Sequence, residues 1–164
     1  MNILYLHGLN GSLNNEKRAI LEKYGEVYSP SIDYEKDPNS IEGLINLFKE
    51  KDINVVIGSS MGGFAGYYIS NAYQRPALLF NPALAVRSVE QLVPILDHEK
   101  SILKHFVLGT HDDIVDPKKT LDYLIKTVEL HPEYTIHLRN DLAHRIPVDV
   151  FKEEVDIFFN KLCF

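Results

Sequence analysis

The chain has 164 residues, 45% of them hydrophobic and 24% charged. That is the make-up of one compact domain, 1-164, able to bury a core without disulfides, and it excludes a disordered chain. The formal charge is −6, and the basic residues are scattered (Lys17 and Arg18, Lys49 and Lys51, Lys118 and Lys119). With no basic stripe interleaved with aromatics, no nucleic-acid partner is expected.

The lone cysteine, Cys163, cannot form an internal disulfide, has no Cys/His cluster around it to suggest zinc, and reads as inert. Met1 to Leu6 is too short and uncharged for a signal peptide, and no apolar run reaches membrane-spanning length. The expectation is a cytoplasmic protein with no membrane partner. Nothing in the sequence sets an oligomeric state.

Short apolar runs alternate with helical patterns along the whole chain. Strands are expected at Ile3–Leu6, Glu26–Ser29, Asn54–Ile57, Ala77–Phe80, Phe106–Leu108 and Tyr134–Leu138. Several of these are continuously apolar, as strands covered on both faces are. Between the first two, a helix from about Asn14 to Tyr24 would end at Gly25. Ile41, Leu44, Ile45 and Phe48 repeat at helical spacing, as do Leu121, Leu124, Ile125 and Val128. Pro147 is a good first helical residue ahead of Val148, Phe151, Val155, Phe158 and Leu162. The β-α alternation predicts a mostly parallel sheet with helices on both faces. Residues 81 to 104 form the longest stretch between strands and leave room for one or two helices over the mouth of a site. Leu84, Val86, Leu92 and Val93 in that stretch are candidates for an acyl pocket, although core packing is the plainer reading.

The segment Val55 to Phe64 reads strand, sharp turn, helix, and carries Gly58-Ser59-Ser60-Met61-Gly62. Gly-x-Ser-x-Gly in this context is the nucleophile elbow of serine hydrolases, with Ser60 lifted above the sheet edge and Ser59 a turn residue. Small flanking residues let the chain pass closely, and the following helix, from about Gly62 to Tyr73, aims its N-terminus at developing negative charge. The first strand ends in His7-Gly8-Leu9-Asn10-Gly11-Ser12, a turn suited to half of an oxyanion hole. Its donors would be the backbone N–H groups of Leu9 and Met61. His7 itself reads as a structural imidazole holding the loop, since a base also needs an orienting acid.

A nucleophilic serine needs a base, and the base needs an acid, in the chain order Ser, Asp or Glu, His. After the strand ending near Gly109 come Asp112, Asp113 and Asp116. Asp112 fits the acid best, Asp113 competes, and Asp116 suits a cap for the helix starting near Pro117. After the last strand, His144 lies on a polar loop before the final helix and is the expected base. His137 falls inside a strand, His98, His105 and His131 have no matching context, and His111 is at best a pocket residue.

On these residues the chain resembles the α/β-hydrolase superfamily, and in particular the short bacterial esterase-like proteins of the YqiA/YcfP type. The opening Leu4 to Ser12, the elbow Gly58 to Phe64, and Leu79-Phe80-Asn81-Pro82-Ala83 carry the likeness. It implies a minimal α/β-hydrolase fold of about six mostly parallel strands, without the first two strands of the full fold and without a cap domain. It also implies an esterase on small acyl ester or thioester substrates that needs no cofactor. The same machinery serves peptidases, and a hydrolase fold can also persist as a catalytically silent binding protein. The intact order Ser60, Asp112, His144 favours the enzyme.

Overall fold

The computed structural model describes residues 1–95, 101–127 and 133–162. Cys163, His98, His131 and Val128, singled out above, lie outside the described residues, as does part of the 81 to 104 stretch. In chain order the elements are β1 (Asn2–Leu6), α1 (Asn15–Leu21), β2 (Glu26–Tyr28), α2 (Ser40–Phe48), β3 (Val55–Ser59) and α3 (Met61–Tyr73). Then follow β4 (Ala77–Phe80), β5 (Leu103–Gly109), α4 (Pro117–Thr127), β6 (Glu133–Arg139) and α5 (Val148–Lys161).

The six strands form one sheet in the order β2-β1-β3-β4-β5-β6, and every neighbouring pair is parallel. The continuously apolar runs are the inner strands. Leu4, Leu6, Val55, Val56, Ile57, Leu78 and Leu79 are fully buried, as strands covered on both faces must be. The edge strands β2 and β6 keep exposed positions. Alternation along each strand divides the core between the faces. Ile3, Ile57, Leu78, Phe80 and Val107 meet Leu21 of α1 and Phe151, Val155 and Phe158 of α5. Leu4, Leu6, Val56, Leu79 and Phe106 meet Leu44 and Phe48 of α2, Phe64 and Ile69 of α3, and Leu124 of α4.

Two helix ends differ from the sequence reading. Helix α1 starts where its Asn14 cap accepts the Lys17 N–H at 2.8 Å, but it stops at Leu21, four residues short of Gly25. Gly25 serves another purpose: a Cβ there would stand 2.0 Å from the Met1 carbonyl oxygen, where the chain passes β1 to enter β2. Pro147 caps α5 rather than opening it, and its carbonyl accepts the Phe151 N–H at 2.9 Å. The described part of the stretch after β4, residues 81 to 95, contains neither helix nor strand.

The strand order matters for function because it reverses between β1 and β3. The chain leaves β1 for one side of the sheet and returns to build the other side outward from β3. The loops at the carboxyl ends of those two strands therefore diverge and leave a crevice, the usual ligand position in open α/β sheets.

Candidate active site

At the end of β3 the chain turns at Ser60 and enters α3 at the next residue. Ser60 has φ 55° and ψ −117°, a backbone conformation that a side-chain-bearing residue adopts only under constraint. The constraints are visible. Its N–H donates to Phe80 O at 3.0 Å, and its carbonyl accepts the N–H groups of Phe64 at 3.0 Å and Ala83 at 3.1 Å. The motif's glycines let this happen. A Cβ at Gly58 would lie 2.1 Å from Gly62 O, and one at Gly62 would lie 2.0 Å from Leu6 O. The first turn of α3 thus runs against the backbone of β1 and β3 with no room for a side chain.

The turn after β1 stands beside the elbow: a Cβ on Gly8 would come within 3.2 Å of Ser60 Cβ. Leu9, Ser60, Met61 and His144 all line one cavity of about 1120 Å³ at this edge of the sheet. Among the described residues, no protein acceptor takes the N–H of Leu9 or of Met61. His7 is engaged at both ring nitrogens. Nε2 accepts the Ile32 N–H at 2.9 Å, which leaves Nδ1 protonated to donate to Gly8 O at 2.7 Å. It holds the loop and has no nitrogen left to act as a base.

The loops after β5 and β6 meet across the same edge. His144 Nδ1 donates to Asp112 Oδ2 at 2.8 Å. The Asp112 side chain is fully buried, and its Oδ1 also accepts the N–H groups of Ile114 at 2.9 Å and Val115 at 2.8 Å. The carboxylate is fixed by its own loop and faces the imidazole with both oxygens, Oδ2 at 2.8 Å and Oδ1 at 3.0 Å from Nδ1. Asp113 is exposed on the cavity rim, and Asp116 caps α4 by accepting the Lys118 N–H at 2.8 Å. His111 is exposed and lies away from the cavity lining. No hydrogen bond joins Ser60 Oγ to His144 in this structure, although both face the same cavity.

The sequence reading missed what holds His144 in place. Asn81, at φ 40°, is buried; its Nδ2 donates to Ala143 O at 2.9 Å and His144 O at 3.2 Å, and its Oδ1 accepts the Gly109 N–H at 2.8 Å. One amide side chain thus ties the ends of β4 and β5 to the His144 loop. The signal was present in the Asn-Pro-Ala step, whose next two residues brace the elbow. A Cβ on Gly63 would meet Pro82 Cα at 2.9 Å, and Ala83 bonds Ser60 as described. From the other side of the loop, Lys17 Nζ donates to Ile146 O at 2.6 Å, and burial pushes its pKa down.

Of the four residues considered for an acyl pocket, Val86 lines the cavity. Leu84 is buried in the core, and Leu92 and Val93 are exposed elsewhere. Arg87 and Arg145 also line the cavity, as Asp113 does.

The profile of the uncharacterised protein family UPF0227 matches residues 2–123, three quarters of the chain. The chain belongs to that family. The match takes in Leu9, Ser60, Met61 and Asp112 and stops before His144. Among solved structures, Arabidopsis thaliana SOBER1 superposes with a TM-score of 0.76 at 14% identity, covering 99% of each chain. A putative hydrolase of the alpha/beta superfamily from Xanthomonas campestris gives 0.72 at 14% identity over 98% of this chain and 99% of that one. A Bacillus cereus carboxylesterase gives 0.67 at 17% identity over 98% and 87%. At such identities the likeness speaks for the fold, which is the α/β-hydrolase fold, with six parallel strands and five helices among the described residues. The family resemblance read from the sequence is borne out, and the fold is the one it implied. Among the described residues, no helix is long and apolar enough to cross a membrane.

Proposed function

We propose that this protein is a serine hydrolase that cleaves small acyl esters or thioesters through an acyl-enzyme, with Ser60 as nucleophile, His144 as base and Asp112 as orienting acid. The observation that carries this reading is the His144–Asp112 hydrogen bond of 2.8 Å beside a serine held at positive φ. With Nδ1 committed to a buried carboxylate, the imidazole keeps Nε2 free to accept a proton. A serine forced into a sharp turn offers its hydroxyl to the crevice at the switch point.

In the mechanism, the Ser60 hydroxyl proton passes to His144 Nε2 as Oγ bonds to the substrate carbonyl carbon. The resulting oxyanion accepts hydrogen bonds from the N–H groups of Leu9 and Met61, at the positive end of α3. Each such donor is worth about 3 kcal/mol at the transition state. The imidazolium then protonates the leaving alcohol or thiol, and the acyl group stays on Oγ. Water, deprotonated by the same imidazole, releases the acid and restores the serine. None of these steps calls for a cofactor.

The cavity of about 1120 Å³ is roomy for a small acyl ester, and esterase folds among the structural neighbours support that substrate class. The test is hydrolysis of p-nitrophenyl acetate and butyrate by wild type and Ser60→Ala. Loss of turnover in the variant is expected, and wild-type rates in the variant would refute the reading. A wild type without turnover would favour a binding protein on the hydrolase fold.

A further inference from the structure

Away from the cavity, under α5, three metal-ligating side chains converge from three elements. His105 of β5, His137 of β6 and Glu154 of α5 bring their donor atoms within 4.8 Å of one another. His105 Nε2 stands 3.4 Å from Glu154 Oε2, and His137 Nδ1 stands 3.0 Å from Oε2 and 2.8 Å from Oε1. Four ligands about 2.1 Å from a tetrahedral ion stand roughly 3.4 Å apart, a value that the separations here, from 2.8 Å to at most 4.8 Å, bracket.

Two further observations point to a cation here. His105 is 1% exposed, and among the described residues neither of its ring nitrogens has a hydrogen-bond partner, Nε2 only approaching Glu154 Oε2 at 3.4 Å. A buried imidazole with both nitrogens unpaired is costly, and coordination through Nε2 would remove one of the two vacancies. The charges are also unbalanced. Arg139 pairs with Asp141, Glu153 and Glu154, so three carboxylates surround one guanidinium. Of these carboxylates only Glu154 is buried, so a cation at its free oxygen would offset charge that solvent does not reach.

We propose that His105, His137 and Glu154 form a zinc site that pins the edge strand β6 and α5 to β5. Nitrogen and carboxylate donors in tetrahedral array suit Zn²⁺. The fourth position would be taken by water entering beside His137, whose side chain is 41% exposed. Arg139 holds the other Glu154 oxygen at 2.8 Å, the outer hydrogen bond that orients ligating carboxylates. The site would brace the 140–147 loop at both ends, since β6 leads into that loop and α5 leads out of it.

The test is zinc titration of chelator-treated full-length protein by calorimetry, with retained metal counted after gel filtration and Tm read with and without Zn²⁺. One ion per chain is expected, with a Tm rise of about 5 °C or more at saturating metal. His137→Ala, a half-exposed change compatible with folding, should lose both the ion and the rise. His111→Ala and His144→Ala, outside the cluster, should keep them. No stoichiometric zinc in the wild type, or equal uptake by His137→Ala, would overturn the site.

Discussion

Asn81 holds His144 by its backbone: the amide nitrogen donates to the carbonyls of Ala143 and His144 at 2.9 and 3.2 Å, while the amide oxygen accepts the Gly109 N–H at 2.8 Å. The imidazole is thereby fixed from two directions, by Asn81 behind the main chain and by Asp112 at Nδ1. A side chain outside the cavity lining thus sets where the proposed base sits.

Asn81→Ala should therefore lower kcat roughly 10- to 100-fold, as small misplacements at a catalytic group do, with a smaller change in KM. It should also cost about 2–3 kcal/mol of stability, since a buried N–H and two carbonyls lose their partner and φ 40° suits Asn better than Ala. Steady-state kinetics together with urea unfolding check both parts.

The strain at Ser60 has a separate signature. At φ 55° and ψ −117°, glycine is at ease and alanine is not. Ser60→Gly and Ser60→Ala should both be inactive, with the glycine variant ahead by about 1 kcal/mol, or about 2–4 °C in Tm. Equal melting temperatures would mean that the elbow stores no strain.

The two candidate acids separate by burial and bonding. Asp112→Asn would place an amide against His144 Nδ1 and disfavour the tautomer that leaves Nε2 free. A fall in kcat of about 10²- to 10⁴-fold is expected. Asp113→Asn, on the exposed rim, should stay within a few-fold of wild type. Parallel ester hydrolysis by the two variants decides between them.

Much of this was legible in the sequence because the physics is local. Apolar runs locate every strand, and the elbow's glycines are demanded by backbones only one crossing away. Asp112 could not be separated from Asp113 in this way. What distinguishes them is a two-residue turn that carries Asp112 inward onto the Ile114 and Val115 N–H groups. The His105–His137–Glu154 cluster was invisible for a different reason. Its members are spread over 50 positions, and only the β5–β6 register, which pairs Val107 with His137, and the docking of α5 bring them together. Gly25 resembled a helix terminator because the contact that requires it, with Met1, is tertiary.

Glu154 carries a pH dependence whose direction follows from its partners. Burial pushes its pKa up, but His105, Arg139 and His137 around it outweigh that and hold it at about 2, below the ordinary 4.5. A depressed carboxylate stabilises the fold above its unfolded pKa, and that contribution is lost as pH falls through the folded value. In the presence of chelator, Glu154→Gln should be less stable than wild type by roughly 3 kcal/mol at pH 7. The gap should narrow as pH drops from 4.5 towards 2. Denaturant unfolding across that range measures it.

The most direct measurement is covalent labelling by a fluorophosphonate probe, with the modified residue located by mass spectrometry. Only an activated serine reacts, so the expected result is a single adduct on Ser60, greatly reduced in His144→Ala and Asp112→Asn. Failure of wild-type Ser60 to react, or labelling that persists undiminished without His144, would contradict a working Ser60–His144–Asp112 relay.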